Sequence, residues 1–179
     1  MNIHPRSIIL LAIDAFGGTV SGRTLLQKRL YFLDQLLQQQ FGKTAGFQHD
    51  SHFYGPYSPL VSDELTVLVV SGFLEQSEEC FGYSNRGFEV KRHHYRLTDS
   101  GRFAVQRLKS EHAEASRSVS EICEKINALG NVNYVEMSIA AKTFFMLKRN
   151  KAPLSAETAV EEAKKFSWKV NKEEVLESF

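Results

Sequence analysis

The sequence has little of what would place it in a secreted or membrane class. It contains two cysteines, Cys80 and Cys123, which lie far apart and outside any CxxC pair. This favours a reducing compartment, and we expect a cytoplasmic protein. No apolar run is long enough to span a bilayer. Asp14 interrupts the apolar segment near the N-terminus and no small-residue cleavage site follows, so the segment predicts a helix and no membrane association.

An excess of charge of one sign is also lacking. The chain has 22 Lys and Arg against 21 Asp and Glu, a net charge of +1. No global field therefore draws it to nucleic acid or to anionic lipid. Any nucleic-acid surface has to come from a local cluster of charge.

Motifs of the common enzyme classes are absent. The sequence contains no GxSxG, HExxH, P-loop or GxGxxG, which predicts a non-enzymatic protein without a cofactor. Six histidines raise the question of a metal site, but His93 and His94 would point to opposite faces of a strand. No cysteine or carboxylate completes a tetrahedral set with them, so we predict no metal.

The stretch YGPYSP, residues 54–59, has the composition of a helix start. Ser58 is a good N-cap and Pro59 suits the first helical position, where its missing N–H is not needed. Gly72 then suits the C-terminal end. The pattern predicts a third helix over 59–71, largely buried.

The order of elements predicts an α+β fold, mostly α. Apolar spacing predicts two earlier helices, at 8–15 and 21–42, ended by glycines. Short strands are expected at 73–74, 81–83 and 88–97, with a turn at SNRG. Three helices, a β-hairpin wing and the strand exit YRLTDSGR are typical of a winged helix. We therefore predict a winged-helix-like domain over 1–100 and a helical extension over 101–179.

A long helix over 102–129 is predicted to carry a heptad-like seam. Its apolar positions alternate steps of three and four: Val105, Leu108, His112, Ala115, Val119, Ile122, Ile126 and Leu129. Such a seam must be covered, either by predicted helices at 134–147 and 156–166 or by a second copy. Its length and regularity favour a homodimer.

The hairpin region is the main local concentration of basic residues. Arg86, Lys91, Arg92 and Arg96 lie there, and this surface could bind phosphate or an acidic protein surface, or be a solvated face. By contrast, no Lys or Arg lies between Lys43 and Arg86. The third helix therefore lacks the side chains that read DNA bases.

Three pieces of sequence together resemble a bacterial family. They are GRTLLQKRLYFLDQL, FYGPYSPLVSDELTVLVVSGFLE and YRLTDSGR. They are similar to the YwgA-like and SocA-like antitoxin group, also called Panacea, over about residues 20–100. The matching positions are Leu26, Gln27, Lys28, Tyr31, Tyr54, Gly55, Pro56 and Leu65. The resemblance implies a non-enzymatic protein that acts by binding, with a toxin-like protein as a potential partner.

The sequence thus leaves two functions open. The first hypothesis is a regulatory or defence-linked protein that binds another protein, with Tyr54 and Tyr57 in or beside the binding surface. YGPYSP would then either line a small pocket or pack the start of the third helix. The alternative is a winged-helix DNA-binding regulator that contacts DNA through its basic wing.

Overall fold

The computed structural model describes residues 3–83, 89–130, 132–150 and 155–177. They form an α+β fold that is mostly helical with one small antiparallel sheet, and the predicted class is confirmed at this level. The elements are α1 (Pro5–Ala15), β1 (Thr19–Ser21), α2 (Arg23–Phe41), α3 (Pro59–Val70), β2 (Leu74–Tyr83), β3 (Glu89–Leu97), α4 (Asp99–Glu111), α5 (Ala113–Asn127), α6 (Tyr134–Arg149), α7 (Ala156–Lys165) and α8 (Lys172–Glu177).

The sheet has the order β1-β3-β2, with β3 in the middle. β2 and β3 form the predicted hairpin, and β2 joins two segments that the sequence predicts as separate strands. The predicted turn at 84–87 lies outside the described residues. The sequence does not predict β1, because three residues are too few to show a period. β1 forms because it pairs with β3, and this pairing places Val20 opposite Tyr95.

The core is built around α1, in which every residue from 8 to 13 is buried. α1 packs against α3, α4 and α5, which explains why it is apolar on all sides. The same core continues to Met137 and so crosses residue 100, where the sequence analysis divides the chain. None of the helices in the described ranges combines the length and hydropathy that crossing a membrane requires.

The prediction of one long helix over 102–129 is wrong, because α4 and α5 meet at a break at His112. This residue has φ −129° and ψ 50°, outside the helical region. After the break α5 packs against α1 and α2, and Val119, Ile122 and Ile126 are buried there. Burying these three side chains stabilises the fold by about 1.5–3 kcal/mol each, and their sum exceeds the cost of about 1 kcal/mol for each of the few helical hydrogen bonds that the break interrupts.

The seam therefore gives no reason for a homodimer. It is covered by α1 and α2, rather than by the segments 134–147 and 156–166 or by a second copy. A dimer through this seam would have to displace both helices. Leu129, at the end of the seam, stays exposed and lines an open apolar groove of about 670 Å³ between α2, α5 and α6.

α6 and α7 begin at the residues that the sequence predicts, 134 and 156. Asn133 and Glu136 form a reciprocal capping box at the start of α6, and Ser155 caps α7. These helices bury a second apolar cluster that includes Trp168 and, from α2, Tyr31. The C-terminal helices are thereby attached to α2.

The strand exit LTDSGR joins the sheet to α4 through Thr98 and Gly101. The Thr98 N–H donates to Phe73 O (3.1 Å), and its hydroxyl donates to Gly72 O (2.6 Å). The same hydroxyl accepts from Gly101 N–H at 3.0 Å and caps the helix. A Cβ on Gly101 would lie 2.1 Å from Phe73 O, so only glycine fits here.

We expect Gly101→Ala to destabilise the protein by about 2–3 kcal/mol, because a backbone carbonyl has to move to admit the methyl group. The measurement is the free energy of unfolding from urea titration followed by circular dichroism. Ser100→Ala, one residue away on the exposed side of α4, is the control and should change it by less than about 0.5 kcal/mol. Equal effects of the two substitutions would contradict this account of Gly101.

Candidate functional site

The segment between α2 and α3 is held by polar side chains on the buried face of α2. Gln27, Lys28 and Asp34 are all buried, although they lie on a helix that is otherwise apolar on this side. Asp34 Oδ1 accepts hydrogen bonds from Thr44 Oγ1 (2.9 Å) and from Ala45 N–H (2.5 Å). This fixes the beginning of the segment where it leaves α2.

Gln27 fixes the other end. Its Nε2 donates to Ser58 O (3.0 Å), and its Oε1 accepts from Ser58 N–H (3.1 Å). Ser58 Oγ in turn accepts from Val61 N–H at 3.1 Å, which confirms the predicted N-cap and the start of the third helix at Pro59. One buried amide thereby joins α2 to the first turn of α3.

Between these two anchors, residues 50–57 form a closed loop, here called the 50–57 loop. Asp50 and Tyr57 exchange both backbone hydrogen bonds, at 2.9 and 2.8 Å. Inside the loop, Gly55 N–H donates to His52 O (2.9 Å), and the Trp168 indole donates to the same carbonyl (2.5 Å). The backbone is therefore fixed before any partner binds.

Two large aromatic side chains project from the tip of this loop. Phe53 is 72% exposed and Tyr54 is 65% exposed. Tyr57, the other predicted tyrosine, is partly buried, with its ring 5.0 Å from that of His52 and its hydroxyl 2.8 Å from Ser62 Oγ. Tyr54 is thus available to a partner, whereas Tyr57 holds the loop together.

Below the tip, the loop rests on two lysines. Lys28 is 1% exposed and its Nζ donates to Pro56 O at 2.6 Å. Gly55 has φ +93°, and a Cβ there would lie 3.0 Å from Lys142 Cγ and 3.5 Å from Lys28 Cε. Glycine is needed at this position both for its backbone angle and for the close approach of the lysine stems.

Burial shifts the titration of the groups around the loop. It lowers the pKa of Lys28 to about 7, with a further contribution from the charge of Lys142. It also lowers the pKa of His49 to about 4, and the charge of Lys28 acts in the same direction. For Tyr31, which packs against His49, burial raises the pKa. Neutral forms are favoured throughout this region.

The predicted basic surface on the hairpin is paired with carboxylates of β2. The ion pairs are Lys91–Glu78 (2.9 Å), Arg92–Glu79 (3.6 Å) and Arg96–Glu75. The rings of His93 and His94 lie 3.1 Å from Glu78 and 3.3 Å from Glu79, respectively. Arg86, the remaining predicted residue, lies outside the described residues. The hairpin brings the acidic strand beside the basic one, an effect that counting charges from residue 86 onward does not capture.

The basic residues are also divided between two faces. Alternation along β3 places Lys91 on the face of the buried Tyr95, and Arg92 and Arg96 on the opposite face. Over residues 74–97 the acidic residues balance the basic ones: Glu75, Glu78, Glu79 and Glu89 against Arg86, Lys91, Arg92 and Arg96. The hairpin therefore carries no net charge with neutral histidines.

Phe53, Lys142 and Trp168 also belong to this site, although none of them is among the predicted site residues. Phe53 was recognisable as an exposed aromatic beside a Gly-Pro turn. Trp168 is the only tryptophan of the chain but lies 115 residues beyond Phe53 in the sequence. Only the packing of the C-terminal helices brings Trp168 and Lys142 to the loop.

The described residues contain no group of three or more His, Cys, Asp or Glu side chains that could hold a metal ion. The chain matches no known protein-family model and no curated protein. The resemblance to the YwgA-like and SocA-like group therefore stays a prediction, based on Gln27, Lys28 and the Tyr-Gly-Pro turn.

The low pKa of Lys28 predicts a pH-dependent stability. Because the unfolded chain binds a proton up to about pH 10.5 and the folded chain only up to about 7, stability should rise with pH across this window. Relative to Lys28→Met, the free energy of unfolding of the wild type should increase by about 1.4 kcal/mol per pH unit. Urea titrations at several pH values between 7 and 10 provide the measurement.

Lys148→Met is the matched control for this prediction, because Lys148 is an exposed lysine on α6. Its difference from the wild type should stay constant over the same range of pH. A constant difference for Lys28→Met as well would show that the buried amine is protonated throughout, and would contradict the prediction.

Proposed function

We propose that this chain is a winged-helix-like, non-enzymatic protein that binds a protein partner through the tip of the 50–57 loop. The order α1, β1, α2, α3, β2, β3 and the sheet order β1-β3-β2 support the winged-helix part of the proposal. In this proposal the protein acts by binding its partner and does not catalyse a reaction.

The observation that carries the proposal is the exposure of Phe53 and Tyr54 on a backbone that is already fixed. Large aromatic residues dominate the binding energy of many protein interfaces. Ordering a flexible loop on binding costs free energy, and the bonds from Gln27, Lys28 and Trp168 remove most of that cost in advance. A rigid loop with two exposed aromatics is thus suited to bury them against a partner.

The non-enzymatic part is supported by the position of the most perturbed amine. A lysine with a pKa of about 7 is a candidate nucleophile when it faces a substrate cleft. Lys28 is instead enclosed by the loop, with its amine on a backbone carbonyl. This arrangement suits a structural anchor, because the amine is held on the backbone of the loop.

DNA binding through the wing, the alternative function, has less support. The basic side chains of β3 are paired with glutamates, and phosphate would have to compete for them. α3, which would occupy the major groove in a winged helix, has no Lys or Arg and exposes Asp63. Its other carboxylate, Glu64, is paired with Arg6 of α1.

The resemblance to the YwgA-like and SocA-like group adds a proposal about the partner. In that group the expected partner is a toxin-like protein, and we propose the same class here. Neutralisation would then follow from complex formation alone, in the cytoplasm, without chemistry by this chain.

Capture from extracts of the source organism, followed by affinity measurement with the purified partner, tests the proposal. We expect Tyr54→Ala to weaken the protein complex by at least about 2 kcal/mol, roughly 30-fold, because it removes an anchoring aromatic side chain. Tyr134→Ala removes an exposed tyrosine on α6 outside the loop and should leave the affinity unchanged.

The DNA alternative gives the opposite pattern. Nucleic acid would be captured in place of protein, and duplex binding would fall steeply as salt increases. Arg92→Gln combined with Arg96→Gln would weaken it, whereas Tyr54→Ala would have no effect. That combination of results would overturn the proposed function.

A further inference from the structure

Two lysines lie side by side beneath the 50–57 loop, and neither forms an ion pair within the part of the chain that the structure describes. Both aliphatic stems pass close to Gly55. A Cβ on Gly55 would lie 3.0 Å from Lys142 Cγ and 3.5 Å from Lys28 Cε. Lys28 is 1% exposed and Lys142 is 9% exposed, so Lys142 is the outer member of the pair. Two ionisable amines thus lie next to each other, one enclosed by the loop and one nearer the surface.

The contacts of these amines leave hydrogen-bonding capacity unused. Among the described residues, Lys28 Nζ donates to Pro56 O, and Lys142 Nζ lies 5.9 Å from the centre of the Trp168 ring. Each ammonium group has three N–H donors. Glu174 is close enough to raise the pKa of Lys142, but its carboxylate accepts from Asn171 N–H and forms no ion pair with the lysine.

The surroundings of the pair are distinct from those of the surface lysines. Seven of the latter are within ion-pair distance of a glutamate or aspartate, at positions 43, 91, 109, 125, 164, 165 and 172. A buried cation without an anion is unfavourable, and two of them also repel each other. An anion beside both amines would remove the repulsion and satisfy the free donors.

An open cavity lies next to Trp168, although neither lysine of the pair lines it. A cavity of about 480 Å³ is lined by Trp168 and Glu174, which also flank Lys142, and by Lys164 and Lys169. Lysines thus outnumber carboxylates in its wall. Trp168 and Glu174 are the residues that this cavity shares with the surroundings of Lys142, so we take it as the side from which an anion approaches the pair.

We propose that Lys28 and Lys142 form an oxyanion site that takes a carboxylate or a phosphate group, reached beside Trp168. This site stands on the two buried amines and does not depend on the proposed protein partner. A carboxylate ligand would come from an acidic side chain or a small organic acid, and a phosphate ligand from free phosphate or a phosphorylated compound. The recognition chemistry, charge-assisted hydrogen bonds from two ammonium groups, is the same.

The single tryptophan provides a direct measurement, because Trp168 lies against Lys142 and is the only tryptophan in the chain. Sodium phosphate and sodium acetate are titrated separately into the full-length protein at pH 7, with ionic strength held constant by sodium chloride. We expect a saturable change in Trp168 fluorescence and a rise in the melting temperature. Saturation with phosphate only, or with acetate only, assigns the ligand class.

Lys142→Met should raise the concentration needed for half-saturation at least about tenfold, which corresponds to about 1.4 kcal/mol. Lys148→Met, on the same helix, should behave as the wild type. Circular dichroism verifies that each variant is folded, and Lys28→Met provides a second variant should Lys142→Met unfold. No saturable change with either salt, or an equal change in the wild type and in a folded lysine variant of the pair, would overturn the proposal.

Discussion

The rest of the structure depends on the bonds from the buried amide of Gln27 to the backbone of Ser58. Each such hydrogen bond contributes about 1 kcal/mol net, but a buried polar group without its partner costs about 1–3 kcal/mol. Breaking these two hydrogen bonds is therefore costly, and the amide holds the start of α3 in place. α2 also packs on α5 and α6. One helix therefore contributes to the core, anchors the loop and holds the C-terminal helices.

A loop held in this way can expose aromatic side chains without becoming mobile. Phe53 and Tyr54 lie at the tip because the residues on both sides are bonded to α2, to each other and to Trp168. The hairpin behaves in the opposite manner, since Lys91, Arg92 and Arg96 of β3 are paired with glutamates of β2. The tip of the 50–57 loop thus exposes aromatic side chains that a partner can bury, whereas the basic side chains of the hairpin already have partners.

Charge in this protein is of two kinds. The ion pairs on the hairpin and helices are mostly exposed, and such pairs add little to stability. Lys28 and Lys142 are buried, have no ion-pair partner among the described residues, and oppose folding when protonated. Unfavourable buried charges are retained in many proteins where a ligand or a partner group completes them. This contrast separates the two buried lysines from the other lysines of the chain.

Local sequence determined most of the helices, the Ser58 cap and the hairpin, because the hydrophobic period and the Ser58–Pro59 pair act over one or two turns. It could not determine the break at His112, since the heptad pattern continues through it and only burial against α1 and α2 selects a bend. The ion pairs of the hairpin could not be predicted either, because they depend on how β2 and β3 pair. The meeting of Lys28, Gly55, Lys142 and Trp168 was decided by tertiary structure alone, because contacts between residues more than a hundred positions apart leave no periodic trace in one sequence.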